Sequence, residues 1–546
     1  MPLEARFPLP SPPMSKATDP PAGVPQPTGF RFLDLVERIG NRLPDPVTLF
    51  MVGALSVLVG SAIAAHLGWS MTYLARTADG SLAEQTVVAR SLLAGEDFRW
   101  VWTNLVTNFT GFPPLGVVLV CMLGIGVAER TGLLAAALKL LVTVTPVAAL
   151  TPMMIFAGIL SNVASDAGYI VLPPLAALIF AKVGRAPLVG LAAVFAGVAA
   201  GFSANLVPSS LDPLLQGLTQ SAAGIIDQGH RVNILCNYYF MIVSTFVLTL
   251  TGWAVTRWIV EPRFSAAEIA LQKASLAEGG ADLSDDRVSP AEKRGLLAAL
   301  ATLLVAGAGY FALVLMPSSP LSGTFIKNNL EVPVWPDTVV PAMFILFFLP
   351  GITYGIAART IRTDRDVAGM MGRTMSTMGM YVVLAFFAAQ FVAWFDRSNL
   401  GRLTALTGAD LLQSMDLPPL GLVAAIILLV GFLNLFLGSA SAKWALIAPV
   451  LVPMFMRLGI SPELSQAAYR VGDSATNPIA PLNPYLVVVL VYVQRCVPKA
   501  GLGTLISLML PYSLVFLIVW TILLVGYVGL GFALGPETTA WVEVPR

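Results

Sequence analysis

The chain has 546 residues, 56% of them hydrophobic and 12% charged, with a net charge of +1 at pH 7. An ordinary soluble domain carries about 25% charged residues, so this composition excludes a water-soluble globular enzyme, and the balanced charge gives no reason to expect a nucleic-acid partner. The charges are also clustered: residues 503–533 contain none, and about 20 apolar residues cross a bilayer core, which predicts an all-α polytopic membrane protein.

Residues 1–30 hold nine prolines and no apolar signal-peptide core, the composition of a disordered tail. Nine full spans are predicted at about 47–67, 112–130, 187–213, 231–258, 291–316, 335–357, 375–396, 463–495 and 503–533. Two further apolar stretches, 149–185 and 418–459, are too long for one helix. Small polar residues break each in its middle: Ser161, Asn162, Ser165, Asp166 and Gly168 in the first, Asn434, Gly438, Ser439, Ser441 and Lys443 in the second. Irregular backbone at membrane depth must be shielded by protein or water, so each is read as a re-entrant hairpin. The stretches 133–147 and 399–417 that lead into them are placed along the membrane surface. Residues 261–294 form a loop and 536–546 a C-terminal tail. Cys121, Cys236 and Cys496 lie in or beside apolar segments without metal or disulfide spacing.

Lysine and arginine orient the chain. Arg38 and Arg42, the loop cations from Arg263 to Arg294, the cluster from Arg359 to Arg373, and Arg495 with Lys499 all fall on one side if both broken stretches are hairpins. That puts the N-terminus in the cytoplasm, with hairpin one opening inward and hairpin two outward. Opposed hairpins imply an inverted repeat. A shift of 275 residues lays Asp166 on Ser441, Tyr169 on Trp444 and Pro187 on Pro462; a shift of 271 lays Gly201 on Gly472, Ser203 on Ser474 and Pro213 on Pro484. Repeat one is then 31–260, repeat two 335–535, and the helix at 295–320 links them.

Inverted repeats place transport sites at the midplane, where discontinuous helices meet. The third span is interrupted by Ser203, Asn205, Pro208, Ser209, Ser210, Asp212 and Pro213, the eighth by the run from Arg470 to Pro484. Proline frees an upstream carbonyl, and carbonyls with Asn and Asp oxygens suit a small hard cation. Charges at this depth cost about 2.5–3.5 kcal/mol each on insertion scales; the candidates are Asp166, Lys443, Arg470 and Asp473. Arg470 and Asp473 share a helix face and can pair, which leaves a structural salt bridge and a transport role both open. Asp166 suits a helix cap as well as substrate or proton binding. Trp444 suits core packing or stacking on an aromatic ligand; Lys443 suits an anionic ligand, an ion pair or snorkelling.

The segments SNVASDAGYIVLPPLAALIF, GSASAKWALIAPVLVPMF and YRVGDSATNPIAPLNPY resemble the AbgT family of p-aminobenzoyl-glutamate transporters and antimetabolite exporters, over roughly residues 30–535. The resemblance implies a homodimer in the bacterial inner membrane, with nine spans and two opposed hairpins per subunit and no covalent cofactor. It also implies secondary-active transport of p-aminobenzoyl-glutamate, p-aminobenzoate or sulfonamides, coupled to protons with a sodium site in the fold. By position it assigns transport to Asp166, Ser441, Trp444, Pro462, Arg470, Asp473 and Pro481, and sodium to Asn434, Gly438, Asp473 and Asn477. A dicarboxylate or organic-anion sodium symporter on the same architecture is the alternative. An intramembrane protease fits poorly: Gly472-Asp473 lacks the earlier glycine of a GxGD motif, because position 470 is Arg, and His66 and His230 stand at span ends.

Overall fold

The computed structural model of the chain describes residues 46–76, 82–164, 167–278, 288–317, 319–327, 330–483 and 485–543. The proline-rich 1–30 stretch, Asp166 and Pro484 lie outside the described residues. In chain order the α-helices are α1 (Pro46–His66), α2 (Gly95–Thr103), α3 (Leu105–Thr110), α4 (Pro113–Arg130), α5 (Leu133–Thr143), α6 (Leu150–Leu160), α7 (Ala167–Lys182), α8 (Pro187–Phe195) and α9 (Leu211–Ala223). They continue with α10 (Tyr238–Val255), α11 (Ala266–Glu278), α12 (Pro290–Leu315), α13 (Trp335–Ala358), α14 (Asp364–Thr377) and α15 (Gly379–Arg397). The last six are α16 (Leu400–Ser414), α17 (Pro419–Asn434), α18 (Ala440–Arg457), α19 (Pro462–Thr476), α20 (Tyr485–Cys496) and α21 (Leu502–Gly529).

Among the described residues, seven continuous helices are long and apolar enough to cross a membrane: α1, α4, α10 with its extension to Arg263, α12, α13, α15 and α21. They lie close to seven of the predicted spans, although α10 begins at Tyr238 rather than near 231. The other two predicted spans, 187–213 and 463–495, are broken. The chain from Pro187 is α-helical to Phe195 and π-helical over Ala196–Ala200; it leaves the helix before Leu211 and then continues to Ala223, well past the predicted end. From Pro462 it is α-helical to Thr476, 3-10 over Asn477–Ile479, and helical again only from Tyr485. The cause is the one visible in the sequence: prolines at 208, 478 and 481 supply no N–H for a continuing ladder.

Both long polar-centred stretches are also two helices each. Stretch 149–185 holds α6, a 3-10 turn over Ser161–Ala164 and α7; stretch 418–459 holds α17 and α18. Each is entered through a sharp corner, 116° between Leu133–Thr143 and Val147–Val163, and 115° between Leu400–Ser414 and Pro419–Asn434.

Some of the loops are more ordered than their charge suggests. Residues 261–294 contain α11, and the basic stretch 358–374 is mostly α14, opened by a capping box between Thr363 and Asp366. Two antiparallel hairpins, Ser70–Arg76 with Leu82–Val88 and Thr324–Lys327 with Leu330–Pro333, were not foreseen. Residues 540–542 are pinned to the turn before α19: Ser461 N donates to Ala540 O at 3.1 Å and Val542 N to Gly459 O at 2.9 Å.

The centre of the molecule is α19. Every residue from Pro462 to Thr476 is buried, including Glu463, Gln466, Arg470 and Asp473. Its neighbours α17 and α21 approach closely. A Cβ on Gly472 would lie 2.4 Å from the Ile427 carbonyl oxygen, so only glycine allows this helix crossing.

Candidate functional site

The polar side chains of α19 reach partners on neighbouring elements. Ser461 caps the helix, its hydroxyl accepting from Leu464 N, and Pro462 occupies the first turn, where a missing N–H costs nothing. One turn on, Gln466 accepts from the Thr219 hydroxyl at 2.6 Å and donates to Asn237 Oδ1 at 3.1 Å. Arg470 donates through Nη2 to Asp212 Oδ1 of α9 at 2.7 Å. Asp473 accepts from the Lys443 ammonium of α18. The expected pairing of Arg470 with Asp473 is therefore replaced by two bridges that leave α19 in different directions. Spacing along one helix permits a pair; a buried partner on a neighbouring element offers better geometry and satisfies both charges.

The two pairs differ in how completely they are satisfied. Lys443 is wholly buried, and its ammonium lies between Asp473 Oδ1 and Asn434 Oδ1. Asp212 is likewise filled: Oδ2 accepts from the Ser209 N–H at 2.6 Å and the Ser209 hydroxyl at 3.2 Å, while Oδ1 takes Arg470. Arg470 is different. Its Nη1 reaches only the Met241 sulfur at 3.6 Å, and its buried Nε finds no acceptor among the described residues. Asp473 Oδ2 is a second buried orphan. A guanidinium carries five donors, so Arg470 can still receive an acceptor-rich anion without giving up Asp212.

Trp444 is fully buried on α18. Its indole N–H donates to Thr219 Oγ1 at 2.9 Å, and its ring lies 4.5 Å from the Tyr469 ring at 32°. In this conformation the aromatic surface expected to meet a ligand is covered by Tyr469. Tyr169 instead stacks on Tyr485, 4.1 Å apart and 5° from parallel. Ser441 is half-buried beside Ser439, with the two hydroxyls 3.3 Å apart. Pro481 is half-buried in the connection to α20. Neither reaches the ion pairs through a hydrogen bond among those described.

Of the four residues that the resemblance links to sodium, Asn434, Asp473 and Asn477 come together, beside Lys443. Asn434 Nδ2 lies 2.7 Å from Asp473 O and 2.9 Å from Asn477 Oδ1. Gly438 abuts the chain at Leu482, where a Cβ would meet that carbonyl at 2.6 Å. The oxygens of Asn434, Asn477 and one arm of Asp473 are thus already engaged. With one carboxylate and one ammonium, the cluster is neutral, and a second cation would add an unpaired charge at great cost. With Lys443 in place this set does not fit a sodium ion.

Two residues were missed as site members. Asp212 was read only as a helix interruption, and Thr219, the residue that joins Trp444 to Gln466, lay beyond the predicted end of the third span. The signal for Asp212 was there: it is another carboxylate at span depth.

The two unwound segments also touch. Ser203 N donates to Ser474 Oγ at 3.1 Å, a contact between residues that the 271-residue shift equates.

This arrangement can be set beside known proteins. The model of the AbgT putative transporter family matches residues 31–542. The chain belongs to the AbgT family. It is 36% identical to the p-aminobenzoyl-glutamate transport protein of Escherichia coli K12 over 502 residues, covering 92% of this chain and 95% of that one. Among solved structures, it resembles Neisseria gonorrhoeae MtrF, described as one of a class of antimetabolite efflux pumps, with a TM-score of 0.85 at 42% identity over 93% of this chain and 100% of that one. It also resembles the Alcanivorax borkumensis YdaH transporter, with a TM-score of 0.81 at 43% identity over 90% of this chain and 100% of that one. This AbgT protein is accordingly a multi-pass membrane transporter and not an enzyme.

Proposed function

We propose that this AbgT member is a secondary-active transporter of p-aminobenzoyl compounds: p-aminobenzoyl-glutamate, p-aminobenzoate or sulfonamide antimetabolites. The observation that carries this reading is the buried Arg470 with donors to spare, one residue from the ring of Tyr469 and its neighbour Trp444. An anionic group pairs with the guanidinium while an aromatic ring displaces Tyr469 from Trp444. Lys443 is the weaker anion ligand, because Asp473 and Asn434 already hold its ammonium. The relatives support the substrate class: the Escherichia coli relative is named for p-aminobenzoyl-glutamate transport, and MtrF for antimetabolite efflux.

The proposed architecture has nine spans and two opposed hairpins related by an inverted repeat, with the N-terminus in the cytoplasm of a bacterium and two subunits side by side in its inner membrane. The matching 116° and 115° corners and the Ser203–Ser474 contact support the repeat. The drive is an ion gradient. A proton gradient is favoured, since Lys443 takes the cation's place among the residues linked to sodium. Asp166 or Asp473 is proposed to couple the ion movement.

The test is flux of labelled sulfonamide and p-aminobenzoyl-glutamate in liposomes under imposed proton or sodium gradients. Gradient-driven movement of either compound is expected. Movement of a plain dicarboxylate with no response to either aromatic compound would favour the organic-anion symporter instead.

A further inference from the structure

His230 stands in the connection between α9 and α10, outside the long apolar helices. Its Nε2 lies 3.0 Å from Glu463 Oε1, in the first turn of α19. The histidine side chain retains 19% exposure and the glutamate only 5%. The pair thus runs from the solvent edge into the interior. The other carboxylate oxygen, Glu463 Oε2, is buried and has no partner among the described residues. A buried carboxylate oxygen without a partner is costly, which makes the one contact that the Glu463 carboxylate does make, to His230, matter the more.

We infer that His230 and Glu463 form a second proton-binding site, separate from the ion pairs at Arg470 and Lys443, through which protons load α19. This inference rests on the proton-coupled reading above. In the loading step the neutral imidazole, its Nε2–H donated to Glu463 Oε1, takes a proton from hydronium at Nδ1 and becomes an imidazolium paired with the carboxylate; unloading returns that proton to water.

The surroundings hold the dyad and connect it inward. Two glutamines of α9 fix the histidine's backbone: Gln220 donates to His230 O at 2.8 Å and accepts from Val232 N at 2.8 Å, and Gln216 donates to Val232 O at 2.7 Å. From Glu463 a chain of hydrogen bonds reaches the aromatic centre. Asn237 Nδ2 donates to Glu463 O at 2.9 Å, Gln466 bridges Asn237 and Thr219, and Thr219 receives the Trp444 indole N–H. Deprotonating His230 removes the charge pair that ties the first turn of α19 to the connection between α9 and α10. The change is felt in a helix whose next turns carry Gln466, Arg470 and Asp473.

Other charges nearby are few. Asp227, in the histidine's own connection, adds to the pull on a proton, and Arg231 is its chain neighbour. On the far side of Glu463, the Cys236 thiol senses Glu463, Arg470 and Asp212. Burial alone would lower the His230 pKa; the hydrogen bond and charge of Glu463, with Asp227, outweigh it and raise the pKa above its ordinary 6.5. A raised histidine pKa means the ion pair stabilises the fold fully below the unfolded value and loses that contribution as pH climbs through the folded value. That range is where cells set their gradients.

Two readouts test the dyad. The first is the thermal midpoint of purified wild type, His230→Gln and Glu463→Gln from pH 5 to 9, which does not depend on transport. Wild type is expected to lose stability with rising pH above about 6.5, and both variants to lose that component. The second is the ratio of gradient-driven to gradient-free flux, expected to fall about tenfold in either variant, within the usual range of coupling between sites. Wild-type pH profiles of stability in both variants would overturn the dyad. So would a wild-type flux ratio in a variant that folds. If wild type itself ignores a proton gradient while its stability titrates as expected, the coupling reading fails and the dyad stands as a pH-sensitive structural contact.

Discussion

The two broken segments, 201–210 and 477–483, share a backbone plan and differ in charge. Each follows a buried helix, contains prolines, and leads into a short helix, α9 or α20. The first ends on a single charge, Asp212, which is filled by its own serine and by Arg470 from the other half. The second follows directly on Arg470 and Asp473, both of which reach outward for partners. The broken backbone therefore recurs while the charge does not. Helices can be broken in both places because they do not face lipid; the buried charge is concentrated on one of them.

The sharpest way to break that comparison is Asp473→Ala. It leaves the Lys443 ammonium buried with only Asn434 beside it, and removing one partner of a buried pair costs about 3–5 kcal/mol. Gradient-driven flux should vanish and the thermal midpoint should fall. Replacing Lys443 by Gln and Asp473 by Asn together should recover most of the midpoint and none of the flux. Surviving flux would remove this pair from the transport cycle.

An intermediate effect is expected from the backbone plan itself. Gly472→Ala and Gly201→Ala place a Cβ 2.4 Å from Ile427 O and 2.5 Å from Gly197 O respectively. Both should destabilise by about 1–3 kcal/mol, the usual cost of overpacking, measured by thermal or denaturant unfolding. Similar losses would confirm that the two breaks are structurally equivalent; a loss at Gly472 alone would not.

The smallest effect probes the neutral aromatic pair. Tyr485→Leu removes the stack on Tyr169, worth about 0.5–1.5 kcal/mol beyond simple burial. Flux is expected to stay within a few-fold of wild type, whereas Trp444→Leu should lower the affinity for aromatic substrates in a direct binding assay. A larger loss from Tyr485→Leu would move substrate contact to the Tyr169–Tyr485 stack.

Much of this was legible in the sequence because apolar length and polar interruption are strong signals. The breaks near Asn205 and Asn477 announced themselves through proline and clustered hydrogen-bonding side chains, and the polar clusters marked where each long stretch divides into two helices. Partner choice was not legible. Arg470 and Asp473 are spaced to pair with each other, and only the packing of α9 and α18 against α19 shows that they do not. Thr219 was hidden for a related reason: its role depends on a helix that resumes after a break, beyond where hydropathy suggested the span would stop. The β-hairpins were missed because strands of four to seven residues outside the apolar stretches leave no mark in a reading built on hydropathy.

The seam between residues 540–542 and the turn at 459–461 has a practical side. Backbone amides hold it, so its pairing does not depend on which side chains are present. Residues that composition marks as a dispensable tail act as a splint on the entry to α19. Cutting or extending the chain there should register first as altered transport kinetics rather than poor yield, because the splinted helix carries the charges while the fold's bulk lies elsewhere. Fusion partners and affinity tags placed after residue 535 are for this reason not neutral additions in a flux assay.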